Sequence, residues 1–146
     1  MSIRLGFALV LATLWLWPAS LHAQSEAIWE AYRRGQTLYE AGRYEQAIPF
    51  YREALELGEQ EFGPEHPTTA IFLNNLAELY RVQGRYEAAE PLLKRTLAVF
   101  EKALGPDHPD VATSLENYAA LLRKPSRADE AVKLEARAKT IRAKYE

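Results

Sequence analysis

Gly63-Pro64-Glu65-His66-Pro67 and Gly105-Pro106-Asp107-His108-Pro109 are two copies of one turn, set 105 − 63 = 42 residues apart. Gly42-Arg43-Tyr44-Glu45 returns as Gly84-Arg85-Tyr86-Glu87 at the same spacing. Two unlike segments that share one period mark a repeat array, and a period of this length decides the architecture before any local reading does. A short array of this kind is a surface for holding something.

Aligned on that period, three units start near Ile28, Ala70 and Ala112 and cover about residues 28–69, 70–111 and 112–146. Each carries two apolar stripes at helical spacing with a short turn between them. In the second unit the first stripe is Leu73, Leu76, Ala77 and Tyr80, the turn is Gln83-Gly84-Arg85, and the second stripe is Tyr86, Ala89, Leu92, Leu93, Leu97 and Phe100. The corresponding helices are expected over Glu26 to Ala41 and Tyr44 to about Phe62 in the first unit. In the third they are expected over Pro109 to about Lys124 and Arg127 to about Tyr145. The pattern predicts an all-α solenoid of three stacked helix pairs.

Small residues recur in columns: Gly35, Ala77 and Ala119; Ala47, Ala89 and Ala131; Ala54, Thr96 and Ala138. Such columns let helices approach closely, and a larger side chain there would cost roughly 1–3 kcal/mol by overpacking. Tyr44 and Tyr86 are the large partners, replaced in the third unit by Ala128, which should pack less well. Between units, Gly63 and Gly105 are expected in the left-handed conformation that closes a helix. Pro64 and Pro106 stop the helix from continuing, Pro67 and Pro109 suit a first turn, and Asp110 favours the positive end of the dipole.

Composition narrows the function. The chain has 146 residues, a formal charge of −2 and no Cys. No basic field exists to attract nucleic acid or anionic lipid. Without Cys there is no disulfide, thiolate nucleophile or Cys-ligated zinc. The first 23 residues stand apart. Arg4 precedes the uncharged run Leu5 to Trp17, Pro18 ends it, and Ala19-Ser20-Leu21-His22-Ala23 reads as a cleavage region. This is the three-part pattern of a secretory signal peptide over 1–23, leaving a repeat domain over 24–146. The run is shorter than the ~20 residues of a spanning helix, so an uncleaved anchor is the lesser alternative. The expected location is outside the cytoplasm: periplasmic in a bacterium, or secreted.

The segments Leu73-Asn74-Asn75-Leu76-Ala77-Glu78-Leu79-Tyr80, Gln83-Gly84-Arg85-Tyr86-Glu87-Ala88-Ala89-Glu90-Pro91-Leu92 and Leu104-Gly105-Pro106-Asp107-His108-Pro109-Asp110-Val111-Ala112 resemble tetratricopeptide repeats. The likeness is to the longer variety found in kinesin light chains and many bacterial repeat proteins, and it spans about Ala27 to Ala138. The resemblance implies stacked antiparallel helix pairs in a right-handed superhelix whose concave surface is lined by the first helix of each pair. The third unit departs from the pattern: Pro125-Ser126 replaces Gln-Gly, and its second helix carries Lys133, Glu135, Arg137, Lys139, Arg142 and Lys144. A polar outer face on a terminal repeat accounts for this charge; an acidic-ligand patch around Arg137 to Lys144 is the rival reading.

On the family's layout the groove set is Tyr32, Gln36, Tyr39, Asn74, Asn75, Glu78, Arg81, Thr113 and Asn117, with Trp29, Arg33 and Glu116 beside them. The resemblance implies that Asn75 and Asn117, one period apart, hydrogen-bond the backbone of an extended peptide, since an amide both donates and accepts. Asn75 also reads as an ordinary helix-surface residue, and Trp29 as packing under the N-terminal edge. Family members that clamp a C-terminal carboxylate need Lys, Asn and Arg where this chain has Tyr32, Gln36, Thr113 and Asn117; only Asn75 agrees.

Chemistry is otherwise sparse. His66 and His108 occupy equivalent turn positions a repeat apart, where they precede a helix and are not expected to converge on a metal. Ser114 and Ser126 lie in no motif, and the glycines sit singly, so no phosphate-cradling loop is formed. The chain reads as a non-enzyme without cofactor or metal. Its expected partner is a protein or peptide, with no nucleic acid and no membrane beyond the signal segment. The alternative is a structural subunit or homo-oligomer in a larger envelope complex.

Overall fold

The computed structural model describes residues 25–123 and 125–146. The signal peptide expected over 1–23 lies outside the described residues. Six α-helices follow in order: α1 (25–40), α2 (Tyr44–Phe62), α3 (Pro67–Val82), α4 (Tyr86–Leu104), α5 (Pro109–Leu122) and α6 (Ala128–Arg142), with a 3₁₀ turn at Pro125–Arg127 before the last. Among the described residues there is no strand, and no helix is long and apolar enough to cross a membrane. Each helix from α2 onward packs on the next, and the first helices α3 and α5 also touch. The result is the expected solenoid of three antiparallel pairs.

The small-residue columns sit where the helices meet. Ala47, Ala54, Ala77, Ala89, Thr96 and Ala119 are fully buried, and Ala131 and Ala138 nearly so. A central cluster runs from Ala47, Ile48 and Tyr51 through Leu76, Leu79 and Leu93 to Tyr118, Leu122 and Ala131, with Tyr44 and Tyr86 packed against its edge. Volume is traded between facing positions. Gly58 of α2 faces Phe72 of α3 so closely that a Cβ on it would lie 2.7 Å from the ring. One period on, the same two columns hold Phe100 and Ser114, both buried, with the bulk on the opposite member.

Two kinds of glycine shape the turns, and one expectation is corrected. Gly42 and Gly84, with φ of 71° and 73°, close α1 and α3. The next N–H reaches five residues back, Arg43 to the Leu38 carbonyl and Arg85 to the Tyr80 carbonyl, each at 2.8 Å. That bond and the Gly N–H to the carbonyl three back make the Schellman closure. Gly63 and Gly105, expected to be left-handed, instead combine φ of 96° and 91° with ψ near extended, 159° and 155°. This region is open only to glycine, and it turns the chain away from the helix while the glycine N–H still bonds Glu59 or Glu101. The third unit has Ser126 in place of Gly84, so the chain leaves α5 at Leu122 through the 3₁₀ turn, and its two helices are shorter than the sequence suggests. The last helix buries only Ala131, Ala138 and Ile141, against five residues each in α2 and α4.

His66 and His108 are helix N-caps: their Nδ1 atoms accept the backbone N–H of Thr68 at 3.1 Å and of Asp110 at 3.2 Å. Pro67 and Pro109 follow at the first helical position, as expected.

A surface network repeats with the same period. Arg95 pairs with Glu59 and donates to the Pro64 carbonyl; Arg137 pairs with Glu101 and donates to the Pro106 carbonyl. Lys102 pairs with Glu65, and Lys144 with Asp107. Arg137 and Lys144, two of the cations that could have met an acidic ligand, are thus engaged with the preceding unit. Glu90 is a second junction. Its carboxylate accepts from Tyr118 Oη at 3.0 Å and Arg127 at 2.8 Å, and pairs with Lys94 at 2.9 Å. The Arg127 guanidinium first, then Lys94, hold its pKa down from 4.5 to about 2.

Two outcomes are expected. Gly58→Ala should lower stability by about 1–3 kcal/mol by overpacking, measured by urea denaturation, and adding Phe72→Leu should recover part of the loss. Because the Glu90 pKa is depressed in the folded state, its contribution is complete above pH 4.5 and fades as pH falls toward 2. Glu90→Gln should cost about 1–2 kcal/mol at pH 7, and the gap between variant and wild type should shrink over that acid range; a constant gap would refute the assignment.

Candidate functional site

The first helices α1, α3 and α5 form the side of the stack expected to be concave, and polar side chains tie these helices at a fixed step. Asn75 Nδ2 donates to Tyr32 Oη at 3.2 Å, and Asn117 Nδ2 donates to Asn74 Oδ1 at 2.9 Å. Each bond joins one unit to the residue 43 positions earlier. The two asparagines therefore hold neighbouring first helices in register with their amide N–H groups and keep their own carbonyl oxygens. At the next step Glu116 takes a bidentate contact from Arg142, 2.8 Å at each oxygen, which lowers the Glu116 pKa. Arg142 also donates to Thr113 Oγ1 at 3.1 Å.

A pocket of about 200 Å³ opens on this side between α1, α2 and α3. It is lined by Tyr32, Gln36, Tyr39, Asn75 and Glu78, all singled out from sequence, together with Glu40 and Tyr51. Arg81 stands behind it, forking both guanidinium nitrogens onto Glu78 at 2.6 Å; this contact raises the Arg81 pKa. Tyr39 is pushed up by burial and then by Glu78. Tyr51 is pushed up to about 12 by burial and then by Tyr32, Tyr39 and Glu40. Thr113 and Asn117 do not line this pocket: they lie one unit further along, where Arg142 and Asn74 engage them.

Tyr51 was not among the sequence candidates because it belongs to a second helix. A signal existed in two columns taken together. Gly35 stands where later units have Ala77 and Ala119, and Tyr51 stands where the second unit has Leu93. A Cβ at Gly35 would come within 3.2 Å of the Tyr51 ring, so the missing methyl is what lets that ring pass under α1 to the concave side. Glu40 likewise replaces the apolar Val82 of the next unit.

Trp29 lies outside this pocket. It packs edge-on against Phe72 and Tyr32, with ring centroids 5.7 and 6.0 Å apart, while 42% of it stays exposed. With Ser25, Glu26 and Arg33 it borders a separate open depression at the N-terminal end.

Comparison with known proteins agrees with this geometry. A family model described as tetratricopeptide repeat matches residues 25–102 and 68–144. No curated protein has a sequence similar enough to match. Among solved structures, BtubC (BKLC) from P. vanneervenii is similar at 26% identity and a TM-score of 0.70, over 75% of this chain and 43% of that one. Kinesin light chain nearly identical TPR-like repeats from Podosopora anserina are similar at 26% identity and a TM-score of 0.67, over 88% of this chain and 58% of theirs. The chain thus spans about half the length of these relatives.

Proposed function

Because the chain belongs to the tetratricopeptide repeat family, whose arrays serve as protein-interaction scaffolds, we propose that it is an exported, non-catalytic adaptor that holds an extended peptide or protein segment in its concave groove. The observation that carries the reading is the pocket between α1, α2 and α3, where Tyr32, Gln36, Tyr39, Asn75 and Glu78 gather from two helices. Aromatic rings supply area at low entropic cost, and the Asn75 carbonyl oxygen is available to a peptide N–H. The export half of the reading rests on the signal pattern over 1–23. A preformed solenoid surface costs little reorganisation on binding.

A second reading, a subunit or self-associating array, is favoured by the apolar side chains Val132 and Tyr145 of the third unit, which are 61% and 62% exposed. Against simple head-to-tail stacking stand the repeated ion pairs. The cations lie on the later unit of each junction, and the first unit has Glu53 and Gln60 at those positions. A second copy stacked in register would lack the pairs that Arg95 and Lys102 make.

The test is photocrosslinking in cells from a probe at Asn75, with mass spectrometry of the captured species. The groove reading expects one partner protein, lost when the probe moves to Lys94 on the opposite side. Asn75→Ala with Tyr39→Ala should weaken that partner about tenfold or more while the melting temperature falls by no more than a few degrees. Full binding by a well-folded double variant would sink the reading, and capture of only the chain itself would favour the subunit alternative.

A further inference from the structure

Contacts between units show which columns meet when one unit stacks on the next. Gly58 of the first unit faces Phe72 of the second, and Tyr118 of the third donates to Glu90 of the second. The 42-residue period carries these columns out to the two end faces of the described stack.

On the N-terminal face the columns change character. Inside the stack they hold Phe72 and Ser114, Leu76 and Tyr118, and Leu79 and Leu121, all buried. At the end they hold Glu30, Arg34 and Thr37, all exposed. Arg34 pairs with Glu30 at 2.6 Å and lies over the Phe50 ring, 5.9 Å from its centroid. Its guanidinium therefore shields an apolar ring that this face would otherwise present.

The C-terminal face changes in the same way. Leu93 gives way to Glu135, Leu97 to Lys139 and Phe100 to Arg142. These three charged residues line one open depression together with Glu116. Arg123 engages Glu135 at 2.9 Å, and Glu116 receives Arg142 on both oxygens at 2.8 Å. Val132, in the column of Ile48 and Glu90, is the apolar exception.

A second copy stacked in register would set Arg142 against Glu30, as Gly58 is set against Phe72. The signs are opposite, but each charge is already matched within its own unit. Meeting would add little attraction and would strip water from both ion pairs at a position where Phe72 is 0% exposed. The dehydration of paired charges then exceeds what their new neighbours return.

We propose that both end faces are closed to self-stacking and that the array works as a single copy. Glu30 with Arg34 closes one end, and Glu135, Lys139 and Arg142 close the other. The exposed Val132 is too small a share of its face to seed a head-to-tail array. This inference concerns assembly alone and does not depend on what the groove holds.

The test restores the internal columns. The chain, expressed from its full sequence and purified as the cell leaves it, would be followed by sedimentation equilibrium across micromolar concentrations, at low and at high salt. It should stay a monomer throughout. One variant opens the N-terminal face with Glu30→Ser, Arg34→Leu and Thr37→Leu. A second opens the C-terminal face with Glu135→Leu, Lys139→Leu and Arg142→Phe. Each change copies a residue that its column holds inside the stack. Mixed in equal amounts, the two variants should form a one-to-one complex, about tenfold or more tighter than either forms with the wild-type chain, with the helical circular dichroism of each retained. A wild-type dimer at either salt concentration would overturn the proposal. So would two well-folded variants that stay apart when mixed, since the replaced charges would not be what keeps copies from stacking.

Discussion

Everything in this solenoid depends on how closely its helix axes approach. A helix pair without a partner cannot bury its apolar stripe, so stability comes from stacking, and stacking requires small residues where backbones meet. Ala47, Ala77, Ala89 and Ala119 are fully buried for that reason. Where one partner is large, the other has given up its side chain: Gly35 under Tyr51, Gly58 under Phe72. The exchange of bulk between Gly58 with Phe72 and Phe100 with Ser114 keeps the filled volume similar while the residues change. A repeat protein can therefore drift in sequence at single columns so long as facing columns drift together.

Polar contacts then fix the register that the apolar contacts permit. The pairs Arg95–Glu59 and Arg137–Glu101 are partly exposed, and each alone contributes little. Their value lies in direction: each unit's second helix reaches back to the unit before it and to the Gly-Pro turn between them. On the other side, Asn75 and Asn117 step from one first helix to the next. Glu90 ties the third unit down, with Arg127 of the 3₁₀ turn supplying what the missing glycine at Ser126 would otherwise have provided by a Schellman closure. The same columns hold Glu53 and Gln60 in the first unit, where Arg95 and Lys102 stand in the second, and Ala143 in the third, where Glu59 and Glu101 stand before it.

The groove becomes specific where the repeat is broken. Tyr32, Gln36, Tyr39, Glu40 and Tyr51 line one pocket, and their equivalents one period on are Asn74, Glu78, Arg81, Val82 and Leu93. Most residues of the pocket wall differ from their equivalents one period on; Asn75, which repeats as Asn117, is the exception. The stacking contacts recur at each junction and constrain size there, by the same residue or by an exchange of bulk between facing columns, while the first-helix surface is under less such demand.

Period, helix pairs, small-residue columns and the Pro-led helix starts were legible in the sequence, because each is a local or periodic property that one chain displays by itself. So was most of the groove wall, since the first-helix positions of neighbouring units share a face once the period is known. Other features depended on distances between residues far apart in the chain. Tyr51 enters the pocket only because α2 passes beneath Gly35. The asparagine amides face Tyr32 and Asn74, 43 residues earlier, rather than open solvent. Gly63 and Gly105 take extended ψ because the chain must swing from the end of one second helix to the start of the next first helix. Arg137 and Lys144 find Glu101 and Asp107 across the unit boundary, and Arg142 finds Glu116 on the neighbouring helix of its own unit. Sequence determined which surfaces are apolar and where the chain turns; only the folded stack decided which polar groups those turns bring within hydrogen-bond reach, because such reach depends on distances between residues far apart in the chain.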